Sequence, residues 1–322
     1  MSEAAIQPTL PLPSAAPEPA VLLESVVKRF GATLAVDQVS LQIPGGGVYG
    51  LIGPNGAGKT TTFSMVCGFL TPTSGAVRVL GHRAGEVTAL RGRLGALPQD
   101  ALLPANDTVG DAVAFYAQLL GMARRQATAA AQQALDRVGM SQWCRVRCGA
   151  LSHGMAKRVG LAQAFLGSPE LVLLDEPTAG LDPKSAFQLR EFIKQQRTEG
   201  HTIVISSHNL TELEELCDSA AILDHGRVVA SGSMQELTRA VAEVRFVLAS
   251  DAVPEDGLRA LPCVEALTFD RTRRSLVVTF SPGKHEAEEV IAEVLGVLLA
   301  AKVRISGVAK GRKLEERVME LV

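Results

Sequence analysis

Apolar and polar positions follow three successive patterns along the chain. Over residues 21–80 apolar residues are interleaved with polar ones and punctuated by glycine and proline, which predicts a small β-layer. Within it, the run Val48-Tyr49-Gly50-Leu51-Ile52 leads through a glycine-rich loop into a helix-like stretch at 61–69. Over 108–138 the spacing turns helical, with Val113, Tyr116, Leu119 and Leu120 on the expected stripe and Asp107 or Thr108 placed to cap it. Leu171-Val172-Leu173-Leu174 and Thr202-Ile203-Val204-Ile205 then read as short strands buried on both faces, separated by a helix over 184–197. That alternation predicts a parallel α/β sheet. Asp224-His225-Gly226, between Ala221-Ile222-Leu223 and Arg227-Val228-Val229, predicts a hairpin.

After about residue 240 the pattern changes. Val244, Phe246 and Leu248 alternate onto one face, strands are expected at 264–269, 276–280 and 303–308, and an apolar helix at 287–301. A short last helix would carry Leu314, Val318 and Leu321 on one stripe and pack against a domain. The expected organisation is a disordered, proline-rich tail at 1–20, a large α/β domain at 21–240 and a small α+β domain at 241–322.

Composition narrows the function classes. The 322 residues are 47% hydrophobic and 20% charged, which fits a globular protein. The net charge of −2 argues against a nucleic-acid footprint, which needs a concentrated basic surface. Five cysteines, an odd and sparse set, suit reduced thiols in the cytosol; Cys144-x3-Cys148 with His153 nearby has no second ligand pair to complete a metal site. No stretch approaches the roughly 20 apolar residues that span a bilayer. Residues 1–20 have neither a basic start nor an apolar core, so no signal or anchor is expected there.

Two segments carry chemistry. Gly53-Pro54-Asn55-Gly56-Ala57-Gly58-Lys59-Thr60, between a strand and a helix beginning at Thr61, is a complete phosphate-binding loop. Its glycines let backbone N–H groups converge on the β- and γ-phosphates, Lys59 adds a point charge, and the Thr60 hydroxyl is placed for Mg²⁺. Asp175 and Glu176 end the apolar run of 171–174, where α/β sheets hold ligands. Asp175 suits Mg²⁺, and Glu176, one residue on, can polarise an attacking water.

With these motifs in order, the chain resembles the ATPase subunits of ATP-binding cassette (ABC) transporters over residues 22–237. Leu97-Pro98-Gln99 looks like the glutamine loop, Leu151-Ser152-His153-Gly154-Met155 the signature loop, Ala179-Gly180-Leu181-Asp182-Pro183 the aspartate loop, and Ser206-Ser207-His208 the switch histidine. The resemblance implies a P-loop cassette of RecA-like parallel core, antiparallel β-layer and helical subdomain. It also implies that Gln99 touches Mg²⁺ or the attacking water, that His208 bonds the γ-phosphate, that Phe30 stacks on adenine, and that Ser152 and Gly154 reach ATP held by an opposite subunit. The signature departs from Leu-Ser-Gly-Gly-Gln at His153 and Met155. Methionine lacks the amide of glutamine, so the polar contacts made there in the family are lost.

The implied protein is a cytoplasmic ATPase, peripheral on the membrane, that pairs with a second ATPase subunit as homodimer or heterodimer. It would bind ATP and Mg²⁺ and drive a separate permease, with export the expected direction. Docking is expected around residues 99–116, with Phe115 and Tyr116 packed inside the helical segment. The alternatives are a soluble ATPase of DNA repair or translation, whose relatives carry two cassettes or a long coiled-coil insertion, and a module that uses ATP only as a conformational ligand. The presence of both Glu176 and His208 disfavours the last.

Overall fold

A computed structural model describes residues 18–100, 102–238, 243–250, 253–281 and 284–310, together with 314 and 318. Residues 1–17 of the expected tail, the expected boundary at 240/241 and Leu321 lie outside these residues. The chain opens with β1 (Val21–Phe30), β2 (Thr33–Ile43), β3 (Gly47–Ile52), α1 (Lys59–Val66), β4 (Ser74–Val79) and β5 (His82–Arg83). It continues through α2 (Val87–Leu90), β6 (Leu94–Leu97), α3 (Val109–Leu119), α4 (Arg124–Arg137), α5 (His153–Ala164) and β7 (Leu171–Asp175). Then come α6 (Pro183–Thr198), β8 (Thr202–Ser207), α7 (Leu210–Leu216), β9 (Ser219–Asp224), β10 (Arg227–Ser233) and α8 (Met234–Thr238). The last part holds β11 (Glu243–Leu248), α9 (Glu255–Arg259), β12 (Ala266–Asp270), β13 (Ser275–Thr279), α10 (Ala287–Ala300) and β14 (Ile305–Lys310).

The central sheet runs β10-β9-β3-β8-β7-β6, parallel except for β10. The inner strands β7 and β8 are buried at every position because both faces are covered, whereas the edge strand β10 is only partly buried. Tyr49, Leu51, Leu173 and Val204 face a cluster with α1 and the antiparallel β2-β1-β4-β5 sheet. Val48, Val172, Leu174 and Ile205 face α5, α6 and α7 through Leu161, Leu189, Phe192 and Leu213. The hairpin of β9 and β10 turns at His225-Gly226, both with positive φ (43° and 78°), the type I′ geometry that matches strand twist.

A helical layer forms where α3 and α4 pack on α5 through small residues, among them Ala112, Ala117, Ala127, Ala131 and Ala162. Thr108 caps α3, its hydroxyl accepting from the Asp111 N–H at 3.2 Å. The expected apolar stripe shifts: Val113, Tyr116 and Leu120 pack inward while Leu119 and Phe115 are exposed. Six residues separate Val113 from Leu119, which turns Leu119 well away from the buried face of a 3.6-residue helix.

The last sheet, β12-β13-β11-β14, is antiparallel and covered on one face by α9 and α10, with Phe246, Leu276, Val290 and Val294 at its centre. The chain then returns. Leu314 and Val318 are buried in the cluster that contains Leu189, Leu216, Met234 and Leu237, so the end of the expected 241–322 unit packs into the large domain. Full burial of such a side chain contributes about 1.5–3 kcal/mol.

Candidate nucleotide-binding site

Neighbouring strands β3, β8 and β7 all point the same way, so their C-terminal ends open on one edge. The phosphate loop leaves β3 there and closes at Gly58, the N-cap of α1. Gly58 holds φ +98°, and a Cβ would stand 2.7 Å from the Ala35 carbonyl oxygen; only glycine fits. Lys59 follows as the first helical residue and is buried, its Nζ donating to the carbonyls of Gly53 at 2.7 Å and Pro54 at 3.1 Å. Burial lowers its pKa, with Glu176 and Asp175 acting in the opposite direction. The first N–H groups of α1 have no partner within the helix and present a ready anion site.

At the end of β7, Asp175 is buried and accepts from the Ser206 hydroxyl on β8. Glu176 takes a left-handed backbone, φ +47°, stabilised because its N–H donates to the Ser206 carbonyl at 3.1 Å and hydroxyl at 3.2 Å. Such a conformation at a non-glycine residue costs about 1–3 kcal/mol and turns the side chain away from the strand. The Glu176 carboxylate accepts from His208 Nδ1 at 2.9 Å, the side chain of Glu176 being 7% and that of His208 63% exposed. With Nδ1–H committed to Glu176, Nε2 donates to a phosphate only when the ring is charged.

These elements enclose a cleft of about 530 Å³. Phe30, Asn55, Gly56, Gly58, Lys59, Thr60, Thr61, Gln99, Glu176 and His208 line it together. Phe30 is half exposed at the cleft, with Lys28 Nζ 5.1 Å from its ring centroid. Thr60, Gln99 and Asp175 share an adjoining hollow, an oxygen-donor set of the kind hard cations take. Gly53, Pro54 and Ala57 shape the loop without lining the cleft.

Ser152 and Gly154 stand apart, in a second hollow with Gly180, Leu181, Asp182 and Ser185. Ser152 caps α5, accepting from the Met155 N–H at 3.3 Å. His153 turns its Nε2 to the Ala179 carbonyl at 3.3 Å, and Met155 packs partly against the helical layer. Sequence reasoning missed Thr33, Leu34 and Ala35, which line the cleft from the start of β2, and Ser206, which orders both acids. Ser206 was visible only as the first residue of the Ser206-Ser207-His208 motif; the three β2 residues carry no local signal.

A family profile described as ABC transporter matches residues 36–179, and an AAA domain profile matches 146–214. The linearmycin resistance ATP-binding protein LnrL of Bacillus subtilis (strain 168) is 34% identical over 287 residues, 88% of this chain and 91% of its own. The chain belongs to the ABC transporter family. The Nod factor export ATP-binding protein I of Rhizobium sp. (strain N33) is 36% identical over 219 residues, 68% of this chain and 72% of its own. A solved ATP binding subunit of an ABC transporter superposes with a TM-score of 0.63 at 28% identity, covering 69% of this chain and 92% of that one. The ABC subunit is thus an ATP-binding ATPase that powers a membrane permease, and these relatives do not favour a repair or translation ATPase. Among the described residues, no helix of this ABC subunit is long and apolar enough to cross a membrane.

Proposed function

We propose that this ABC subunit drives export by closing on ATP with a second copy, head to tail, on the cytoplasmic face of the membrane. The observation that carries the reading is the separation of Ser152 and Gly154 from the cleft of their own chain. Placed against a second copy, that hollow completes the γ-phosphate shell which Lys59 and the α1 N-terminus begin. Export follows the relatives named for linearmycin resistance and Nod factor export.

Within the closed cleft, Phe30 stacks on the base and Gly53, Pro54, Asn55, Gly56, Ala57, Gly58, Lys59, Thr60 and Thr61 bind the phosphates. Thr60, Asp175 and Gln99 fit Mg²⁺, which would neutralise phosphate charge when bound. Glu176 takes the proton of the attacking water, and Lys59 and His208 stabilise the charge that develops on the γ-phosphoryl oxygens. The large domain of 21–240 performs this chemistry and the later α+β unit is accessory. Exposed Leu102 and Phe115, within the segment 99–116 that follows the glutamine loop, supply apolar contacts for the permease.

Light scattering of Glu176→Gln protein tests the dimer. Mg-ATP doubles its mass, and adding Ser152→Arg returns it to the monomer while nucleotide binding persists. An ATP-dependent dimer indifferent to Ser152→Arg would remove the signature loop from the interface.

A further inference from the structure

Lys157 is a buried cation that the hydrolysis chemistry leaves unused. It lies on α5, one turn beyond Ser152-His153-Gly154, and is 7% exposed. Its Nζ donates to the backbone carbonyl of Gln99 at 3.0 Å. Burial lowers its pKa, while Asp100, Asp175 and Glu176 act to raise it. An apolar side chain would fill this position without the cost of desolvating an ammonium, so packing alone does not call for lysine.

The reach of Lys157 depends on how closely α5 lies on β6, the strand that delivers Gln99. At Gly160 a Cβ would stand 2.6 Å from Leu97 Cδ1, and the bare backbone allows the approach. Leu97 and Leu161 also share one buried cluster. One helix thereby bonds the glutamine loop at a backbone atom and carries Ser152 and Gly154 on its first turn.

We propose that Lys157 is a positioning residue that fastens the signature helix to the glutamine loop, so that nucleotide at Gln99 sets the placement of Ser152 and Gly154 for the second copy. When the Gln99 side chain is drawn toward nucleotide, its carbonyl moves with it and the ammonium carries α5 along. Because the acceptor is a main-chain oxygen, no substitution at Gln99 itself removes the link. This inference rests on the dimeric reading above.

The test uses the full chain carrying Glu176→Gln, alone and with Lys157→Met or Lys157→Arg. Monomer affinity is read with a fluorescent ATP analogue at low protein concentration, and dimerisation by light scattering in Mg-ATP. Lys157→Met is expected to hold monomer affinity within about threefold but to weaken dimerisation by about tenfold or more, the effect of losing a hydrogen bond from a charged donor. Lys157→Arg, which keeps charge and donors, recovers most of that loss. With Glu176 intact, Lys157→Met lowers kcat and leaves KM nearly unchanged.

Dimerisation by Lys157→Met equal to its parent overturns the proposal. So does a parallel loss of monomer affinity and dimer, which marks a residue that only maintains the fold. If Lys157→Met does not fold, Lys157→Gln, polar but uncharged and shorter, is read against the same expectations. Absence of an ATP-driven dimer in the Glu176→Gln parent overturns the dimeric reading and this one together, whereas a dimer indifferent to Lys157 overturns this one alone.

Discussion

The central sheet and the last sheet of this chain differ in how they dispose of polar groups. Parallel β3, β8 and β7 are buried almost along their whole lengths and end together, so Asp175, Glu176, Ser206 and His208 converge with the phosphate loop on one edge. Antiparallel β11 and β13 run in opposite directions with their apolar side chains alternating inward, and their ends lie at opposite edges. Parallel topology gathers chemistry at one rim; the antiparallel sheet distributes its loops to both. Burial sharpens the contrast, because Asp175 and Lys59 are desolvated in the first region and hold opposite charges within one shell.

Breaking the rim should cost most. Lys59→Ala removes the ammonium from the phosphate site and is expected to lower kcat/KM for ATP by about 10²–10³, as for loss of one preorganised donor. Steady-state ATPase assays over a range of ATP concentrations check it, and an unchanged value would place the phosphates elsewhere. A substitution in the core behind the central sheet should act on stability instead. Leu314→Ala empties a fully buried position in the cluster behind β7 and β8 and is expected to cost about 2–5 kcal/mol, read as a lower thermal midpoint with ATP affinity little changed. An unchanged midpoint would show that Leu314 does not pack there in solution. The smallest effect is expected at the mouth of the cleft: Phe30→Ala loses base stacking, about 1–3 kcal/mol, and should weaken ATP more than free triphosphate in a binding titration. Equal weakening of both would mean that Phe30 does not touch the base.

What could be read along the chain divides on the same line. The phosphate loop, the Asp175-Glu176 pair and the buried strands are contiguous words whose chemistry and periodicity are local, and their fold class followed from them. The C-terminal strands were legible by alternation for the same reason. Contacts between distant segments were not: Lys157 on the Gln99 carbonyl, 58 residues away, His153 on the Ala179 carbonyl, and the return of Leu314 and Val318 to the large domain. Each depends on how layers stack, which no window of neighbouring residues encodes. Leu119 shows the limit inside one element, where apolar character pointed inward but helical phase pointed to solvent.

In the proposed mechanism, turnover requires the carboxylate of Glu176 at the rim of the parallel sheet. Phosphate release in saturating Mg-ATP by the wild-type chain and by Glu176→Gln, with ATP binding measured on the same samples, tests it most directly. Removal of a general base should lower the rate by about 10²–10⁴ while binding is retained. Equal rates of phosphate release would remove Glu176 from the role of base.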